Sequence, residues 1–281
     1  MEEIRKWVEN SPYTRALGFE LTQIDSDSAR LFLPFQEKNA NPGRALHGGC
    51  AASLAVVGGQ CVTRAAMGAE SGPWHAAAMQ VNYLAAAVGE DVYAEARLLR
   101  QGKALCFVVV DAYTDAGKPI AQATTLVSAL RGTPGPPGPD AERDDGHSDP
   151  GPLGPHVVKA PYMAARGIVI ENMSAGKSRV TLPHQDVNLD ASGGIHEGSL
   201  LALLDTAGAM AAWAETGPGA YKASTPSLQA QILSPPVAQD LIAYGRVQHR
   251  NESMFWCTVE VVGRNDLKVI ARGTVVYRIV V

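Results

Sequence analysis

Residues 47–62 read H-G-G-C-A-A-S-L-A-V-V-G-G-Q-C-V, and residues 196–213 read H-E-G-S-L-L-A-L-L-D-T-A-G-A-M-A-A-W. Each stretch opens on a histidine and then runs apolar around nearly the whole circumference of a helix. A helix apolar all round is a buried one. Two buried central helices are therefore predicted, the first over roughly Gly48 to Met67 and ending at Gly68. A constant offset of 149 residues relates the two stretches. The same offset pairs Pro12-Tyr13 with Pro161-Tyr162, Gly18 with Gly167, Arg30 with Arg179 and Leu33-Pro34 with Leu182-Pro183. It also pairs Leu54 with Leu203, Gln80 with Gln229, Leu84 with Leu233 and Asp91 with Asp240. Matches at one offset over so long a span do not arise from composition, so the chain reads as a tandem duplication. Its copies differ at one chemically important place. Nine residues after His196 stands Asp205, whereas nine after His47 stands Val56.

Working outward from the helix, each copy shows the same coarse pattern. A short polar helix, Glu2 to Glu9, and a turn at Asn10-Ser11-Pro12 lead into alternating strands at Phe19–Ile24 and Ala29–Phe35. A Gly/Asn/Pro-rich loop, Asn39 to Arg44, enters the central helix. Four further strands are predicted at Ala76–Leu84, Asp91–Arg100, Ala104–Tyr113 and Ile120–Leu130, separated by polar turn residues. The expected fold class is α+β: an antiparallel sheet wrapped around one long helix, twice. Such a sheet leaves an exposed edge, so the two units gain by pairing. Small residues at Gly58-Gly59 and Ala207-Gly208 would let neighbouring elements approach closely. Between the copies, residues 133–155 hold seven prolines and five acids with only Ala141 and Leu153 apolar. That composition predicts a linker without a core, long enough to let the copies dock side by side. The expected domains are residues 1–132, the linker 133–155, and residues 156–281.

Composition narrows the function. Hydrophobic residues make up 46% of the 281-residue chain and charged residues 19%, the balance of a soluble globular protein. A net charge of −4 and the lack of a Lys/Arg run argue against nucleic acid as a partner. The polar N-terminus has no apolar signal core, and no membrane partner is expected. Cys50, Cys61, Cys106 and Cys257 have neither metal-ligand spacing nor repeat symmetry. They read as free buried thiols in a reducing cytoplasm, with no structural metal expected.

These residues resemble the hotdog-fold acyl-CoA thioesterases, in particular the phenylacetyl-CoA (PaaI-type) branch. The first copy supplies Asn41 followed six residues later by His47-Gly48-Gly49 at the helix start. The second supplies the acid along the helix, Leu203-Leu204-Asp205, and a strand of the form T-x-x-L, Thr225 to Pro235. The resemblance implies a double-hotdog protein that hydrolyses acyl-CoA-type thioesters without a cofactor. It further implies that the reactive site lies between paired units, and homo-oligomers of such chains remain open.

The chemistry suits those residue types. Thioester hydrolysis needs a polarised carbonyl and an activated water or nucleophile. The start of a buried helix offers unpaired N–H groups and partial positive charge, so Gly48 is the candidate oxyanion donor. A glycine directly after the histidine would let an acyl group approach the backbone, and Gly49 beside it is a candidate substrate-binding residue. Asp205 is the candidate base or nucleophile. It interrupts an apolar run with no basic residue three or four positions on. Nine helical residues span about 13 Å, so one copy cannot bring its own helix start and acid together. If the helices pair antiparallel, one cleft combines Asn41, His47 and Gly48 with Asp205 and Thr225. The other combines Asp190, His196 and Glu197 with Val56 and Ala76, lacking both acid and hydroxyl. One working site and one inactive site are expected.

Blander readings stand beside these. His47 orients the loop rather than moving protons, Asn41 before Pro-Gly also suits a turn residue, and Ser224 or Ser227 replaces Thr225 if the strand slips. Arg44 and Arg64 are candidates to meet carrier phosphates, although isolated arginines are more often solvated surface. Two functional rivals remain: an enoyl hydratase or dehydratase on the same fold, and a non-catalytic acyl-CoA binder.

Overall fold

In the computed structural model, which describes residues 1–69, 72–129, 137–234 and 238–280, the two halves repeat one element order. The first half runs α1 (Glu2–Asn10), α2 (Pro12–Leu17), β1 (Glu20–Ile24), β2 (Ser28–Leu33), α3 (Gly48–Met67), β3 (Trp74–Tyr83), β4 (Val92–Gln101), β5 (Leu105–Thr114) and β6 (Pro119–Ala129). The second runs α4 (Gly154–Val157), α5 (Pro161–Arg166), β7 (Val169–Ser174), β8 (Lys177–Leu182), α6 (Glu197–Thr216), β9 (Lys222–Ile232), β10 (Leu241–Arg250), β11 (Met254–Gly263) and β12 (Val269–Val280). Short 3-10 turns, Glu37–Asn39 and Asp186–Asn188, precede the two long helices.

All twelve strands form one antiparallel sheet in the order β1-β2-β4-β5-β6-β3-β9-β12-β11-β10-β8-β7. The order reads the same from either end once each strand is exchanged for its counterpart. The seam is the pair β3–β9, where Gln80 lies opposite Gln229. These two residues are counterparts under the offset, and Gln229 Nε2 donates to Gln80 Oε1 at 3.4 Å. A local two-fold axis therefore crosses the seam. It also passes between the hydroxyls of Tyr13 and Tyr162, 3.0 Å apart.

The two central helices lie inside this curved sheet. Helix α3 buries Gly49 through Thr63 and α6 buries Glu197 through Ala212. By length and composition α3 could cross a membrane; here it is packed against strands β2 to β6 and against α6. Burying such apolar surface is the main favourable term in folding. The helices run antiparallel and very close. A Cβ on Gly49 would collide with Ala202, and one on Gly198 would meet Ser53 Oγ at 2.5 Å. The sheet is equally tight on their outer sides. A Cβ on Gly59 would sit 3.0 Å from Thr125 Cγ2, and one on Gly208 would sit 2.5 Å from Val275 Cβ.

Two expectations are corrected. The turn at Asn10-Ser11-Pro12 opens a real helix, α2, as does Pro161 in α5. Proline suits the first helical position, and Gly18 and Gly167 end each helix at φ +84° and +64°. The linker is the second correction. Residues 133–136 lie outside the described residues, as do Leu130 and Pro235, but from Pro137 onward the segment is strapped along the outer face of the second half. Pro139 accepts from Val269 N–H at 3.0 Å, and Glu142 N–H donates to Glu260 Oε2 at 2.9 Å. Asp144 Oδ1 accepts from Arg179 Nη1 at 2.5 Å, and Ala141 packs on Ile242, Tyr244, Val262 and Val269. A polar, proline-rich segment cannot build a core, but it docks through charge-assisted and backbone hydrogen bonds.

The helix contact generates one prediction. Gly49→Ala inserts a methyl into Ala202 and should destabilise the chain by about 1–3 kcal/mol, as overpacking does. Adding Ala202→Gly should recover part of the loss. Denaturant titration of the two single variants and the double variant measures the coupling, and strictly additive losses would show that the contact is not limiting. The strap generates another. Cleaving the chain between Pro139 and Pro150 should leave the two fragments co-eluting from a sizing column at micromolar concentration, because α3, α6 and the β3–β9 seam remain.

Candidate active site

Each long helix begins on a histidine that acts as its cap. His47 and His196 are extended at φ −62° and −67°, and Nδ1 of each accepts the N–H two residues on: Gly49 at 3.0 Å and Gly198 at 2.9 Å. A ring nitrogen can accept only when it carries no proton. Burial keeps both rings in that state, pushing each histidine down to about 4; the Arg166 charge adds to the effect at His47. Each ring stacks on a tyrosine of the other half. His47 lies 4.1 Å from Tyr162 with the planes 4° apart, and His196 lies 4.7 Å from Tyr13. His47 is thus a positioning residue for the helix start.

Capping leaves a defined donor. Gly49 N–H is taken by His47 Nδ1 and Cys50 N–H by the His47 carbonyl. Gly48 N–H heads the helix ahead of its own hydrogen-bond ladder. Opposite Gly48 stands Asp205, from the middle of α6. A Cβ on Gly48 would lie 2.8 Å from Asp205 Oδ2 and 3.5 Å from Tyr83 Cε1. Asp205 Oδ1 accepts from Thr225 Oγ at 2.8 Å, so strand β9 is in the expected register. Asp205 is 6% exposed, and burial pushes its carboxyl up to about 6 although the Thr225 bond pulls the other way. A helix-start donor, a carboxylate with one oxygen facing it, and a hydroxyl fixing the other oxygen can polarise a carbonyl and activate a nucleophile.

Other expected residues fall elsewhere. Asn41 Oδ1 accepts from Gly43 N–H and Ala45 N–H at 2.9 and 3.1 Å, which makes it a turn residue of its loop. Gly49 faces Ala202 in the helix contact, so its role is close packing rather than substrate approach. Arg44, at φ +56°, turns its side chain to Glu37, 3.6 Å away. Arg64 belongs to the opposite cleft. Its Nη2 donates to Gln60 Oε1 at 3.2 Å, and Gln60 in turn bonds Glu197. The second cleft assembles as expected in that Glu197 meets Ala76, whose N–H it accepts at 3.0 Å. Burial pushes Glu197 up to about 8.

Three residues at the first cleft were not anticipated as site residues. Tyr83 OH donates to the Gly48 carbonyl at 3.3 Å; its place in the strand motif, three residues before the position that matches Pro235, was a usable signal. Tyr277 accepts from Trp213 Nε1 at 3.1 Å and feels the Asp205 charge. Arg166, 1% exposed, lies 5.2 and 5.3 Å from the rings of Tyr13 and Tyr162. Its counterpart is Leu17, so only one half carries this buried cation. A groove of about 750 Å³ lies over the β3–β9 seam and is lined by Gln80, Gln229, Phe107 and Thr274, not by the cleft residues.

Residues 36–128 match the family model of the acyl-CoA thioesterase N-terminal domain. A conserved protein of unknown function with hot dog fold from Alicyclobacillus acidocaldarius superposes with a TM-score of 0.65 at 16% identity, covering 98% of each chain. The chain has the hotdog fold. Of similar shape are a candidate thioesterase II of Thermobifida fusca (TM-score 0.66, 16% identity, 96% of this chain and 97% of that one) and the tesB protein of Mycobacterium avium subsp. paratuberculosis (0.63, 14%, 93% and 96%). No protein of curated function matches the sequence. The family match falls on the half that carries His47, Gly48 and Tyr83. The acid facing them comes from the other half.

The buried acid generates a stability prediction. A carboxyl raised from 3.8 to about 6 costs folding free energy at neutral pH, on the order of 2–3 kcal/mol. The folded state holds the proton more tightly than the unfolded state, so the cost is absent below pH 4 and complete above pH 6. Asp205→Asn should therefore melt several degrees higher at pH 7.5, with the gain vanishing near pH 4. Equal melting of the two proteins at pH 7.5 would contradict the burial argument.

Proposed function

We propose that the chain hydrolyses acyl-CoA-type thioesters in the cleft between the start of α3 and the middle of α6. The observation that carries this reading is the opposition of Gly48 and Asp205 across two halves of one chain, with Thr225 fixing the acid. The family match over residues 36–128 supports the same chemistry. The thioester carbonyl oxygen accepts Gly48 N–H, where the dipole of a twenty-residue helix stabilises the developing negative charge. Asp205 Oδ2 takes a proton from water as the water oxygen bonds to the carbonyl carbon, or attacks that carbon itself. Collapse breaks the C–S bond. In the first route the leaving thiolate takes up the proton from Asp205. In the second, water then hydrolyses the mixed anhydride on Asp205, releasing the acid and supplying the thiolate's proton. A carboxyl held near 6 is a stronger base than an ordinary aspartate and is still largely ionised at neutral pH.

The finer reading follows from the same features. We take residues 1–132 and 156–281 as tandem hotdog units of common origin, which the offset and the mirrored strand order support. They form an intrachain pseudo-dimer with one working site, most similar to the PaaI-type branch. The four unpaired buried cysteines suit a cytoplasmic protein.

The test is turnover of an acyl-CoA panel. Asp205→Asn should lower the rate by about 10²-fold or more, since it removes the base or nucleophile. In the native protein kcat/KM should rise with pH through about 6. Thr225→Val should move that limb to higher pH, because the lost hydroxyl had favoured the ionised carboxylate. Near-normal hydrolysis by Asp205→Asn would refute the assignment. Hydration of enoyl-CoA without hydrolysis would point to the hydratase reading, and binding without turnover to the binder.

A further inference from the structure

Under the local two-fold axis the second cleft is the equivalent of the first, and each reactive position differs. Glu197 stands where Gly48 does, Val56 where Asp205 does, and Ala76 where Thr225 does. In the first cleft no side chain grows from Gly48, and a Cβ there would lie 2.8 Å from Asp205 Oδ2 and 3.5 Å from Tyr83 Cε1. From the equivalent position in the second cleft a side chain grows inward. Glu197 Oε1 and Oε2 accept Ala76 N–H at 3.0 and 3.2 Å, and Oε2 also accepts Gln60 Nε2 at 2.6 Å. Gln60 Oε1 accepts from Arg64 Nη2 at 3.2 Å, and the Arg64 guanidinium lies 4.2 Å over the Trp7 ring. Glu197 is 7% exposed. Its carboxyl thus spans from the start of α6 to strand β3 and helix α3, both in the other half of the chain.

We propose that Glu197 is a resident ligand of the second cleft: its side chain crosses from the helix start to strand β3, so each chain holds one open thioester site and one self-occupied site. The chemistry of the bridge fits this role. A carboxyl accepting a backbone N–H from the facing strand and a side-chain amide from the facing helix occupies the donors of that wall without releasing anything. The bridge is covalently tethered, so it binds at high effective concentration and excludes a diffusing competitor. It also adds a polar tie between the halves, with its partners 121 and 137 residues away along the chain. The inference rests on reading the first cleft as the thioester site, and the following experiment separates the two failures.

The measurement is binding stoichiometry by calorimetry on the full chain, using hexyl-CoA and phenacyl-CoA, thioethers that cannot be hydrolysed. The native chain should bind one probe, and Glu197→Gln, which keeps the carbonyl bridge to Ala76, should also bind one. Glu197→Gly should bind two. A native chain that binds two, or a folded Glu197→Gly chain that gains no site, overturns the proposal. A native chain that binds none while Glu197→Gly binds one upholds the resident ligand and removes the thioester reading of the first cleft. Should Glu197→Gly not fold, amide hydrogen exchange in the native chain decides. Saturating probe should slow Gly48 N–H and leave Ala76 N–H unchanged, whereas a probe-dependent change at Ala76 overturns the proposal.

Discussion

The close antiparallel contact of α3 and α6 is the constraint on which the rest of the structure depends. Gly49 against Ala202 and Gly198 against Ser53 hold two helix backbones nearer than larger side chains would allow. Because they run in opposite directions, the start of one lies beside the middle of the other. A helix start is where backbone donors and partial positive charge are available, and a helix middle is where a side chain can be held rigidly. Neither helix provides both at one place, since about 13 Å separates its own start from the position nine residues on. Pairing the halves is therefore a requirement of the cleft and not only of the sheet edge. The β3–β9 seam and the tyrosine pair on the axis maintain the same relation from two further sides.

The buried ionisable groups gather around that contact. Asp205 and Glu197 are both raised by burial, and His47 and His196 are both lowered by it. Each shift has a use or a compensation in the geometry. The histidines must be unprotonated to accept the N–H groups they cap. Asp205 keeps one oxygen tied to Thr225 and one facing Gly48, which is destabilising for folding and favourable for proton transfer. Glu197 has both oxygens occupied by donors. A carboxylate with one oxygen facing a cleft is expected at a reactive site, and one fully bonded is expected at a structural one.

Much of this was legible in the residues, and the limits have physical causes. The apolar circumference of both helices, the strand alternation and the constant offset are local signals, so elements and their repetition could be read directly. Asp205 stood out because a lone acid in an apolar run needs a partner, and the partner, Thr225, followed from strand register. Arg64 was misplaced for the opposite reason. Its charge says nothing about which cleft it serves, and four helical turns beyond Gly48 it has crossed to the other one. Asn41 and Arg44 carry plausible site chemistry, but a loop satisfies its own backbone first, and both side chains are spent on that loop. The docking of residues 137–153 was hidden because polar segments bind through specific partners such as Arg179 and Glu260, which leave no periodic trace. Arg166 was invisible as well, since nothing in M-A-A-R-G announces a buried guanidinium between two tyrosines.

The asymmetry of the two clefts has a further physical reading. In an assembly of two identical chains every substitution appears at both clefts, so a glutamate in the place of Gly48 would face Asp205 twice. Two carboxyls at that separation in a water-poor space repel strongly, and at least one must remain protonated. With both halves on one chain, the positions are independent. Here glutamate at 197 coincides with valine at 56 and alanine at 76, so the carboxyl that crosses the second cleft meets no acid from the facing helix and finds the Ala76 N–H instead. The complementary set, glycine at 48 with Asp205 and Thr225, keeps its single acid beside a bare helix start. Each cleft thus holds one buried carboxyl, rooted in opposite walls, and it is the wall that decides whether the carboxyl faces the cleft or crosses it.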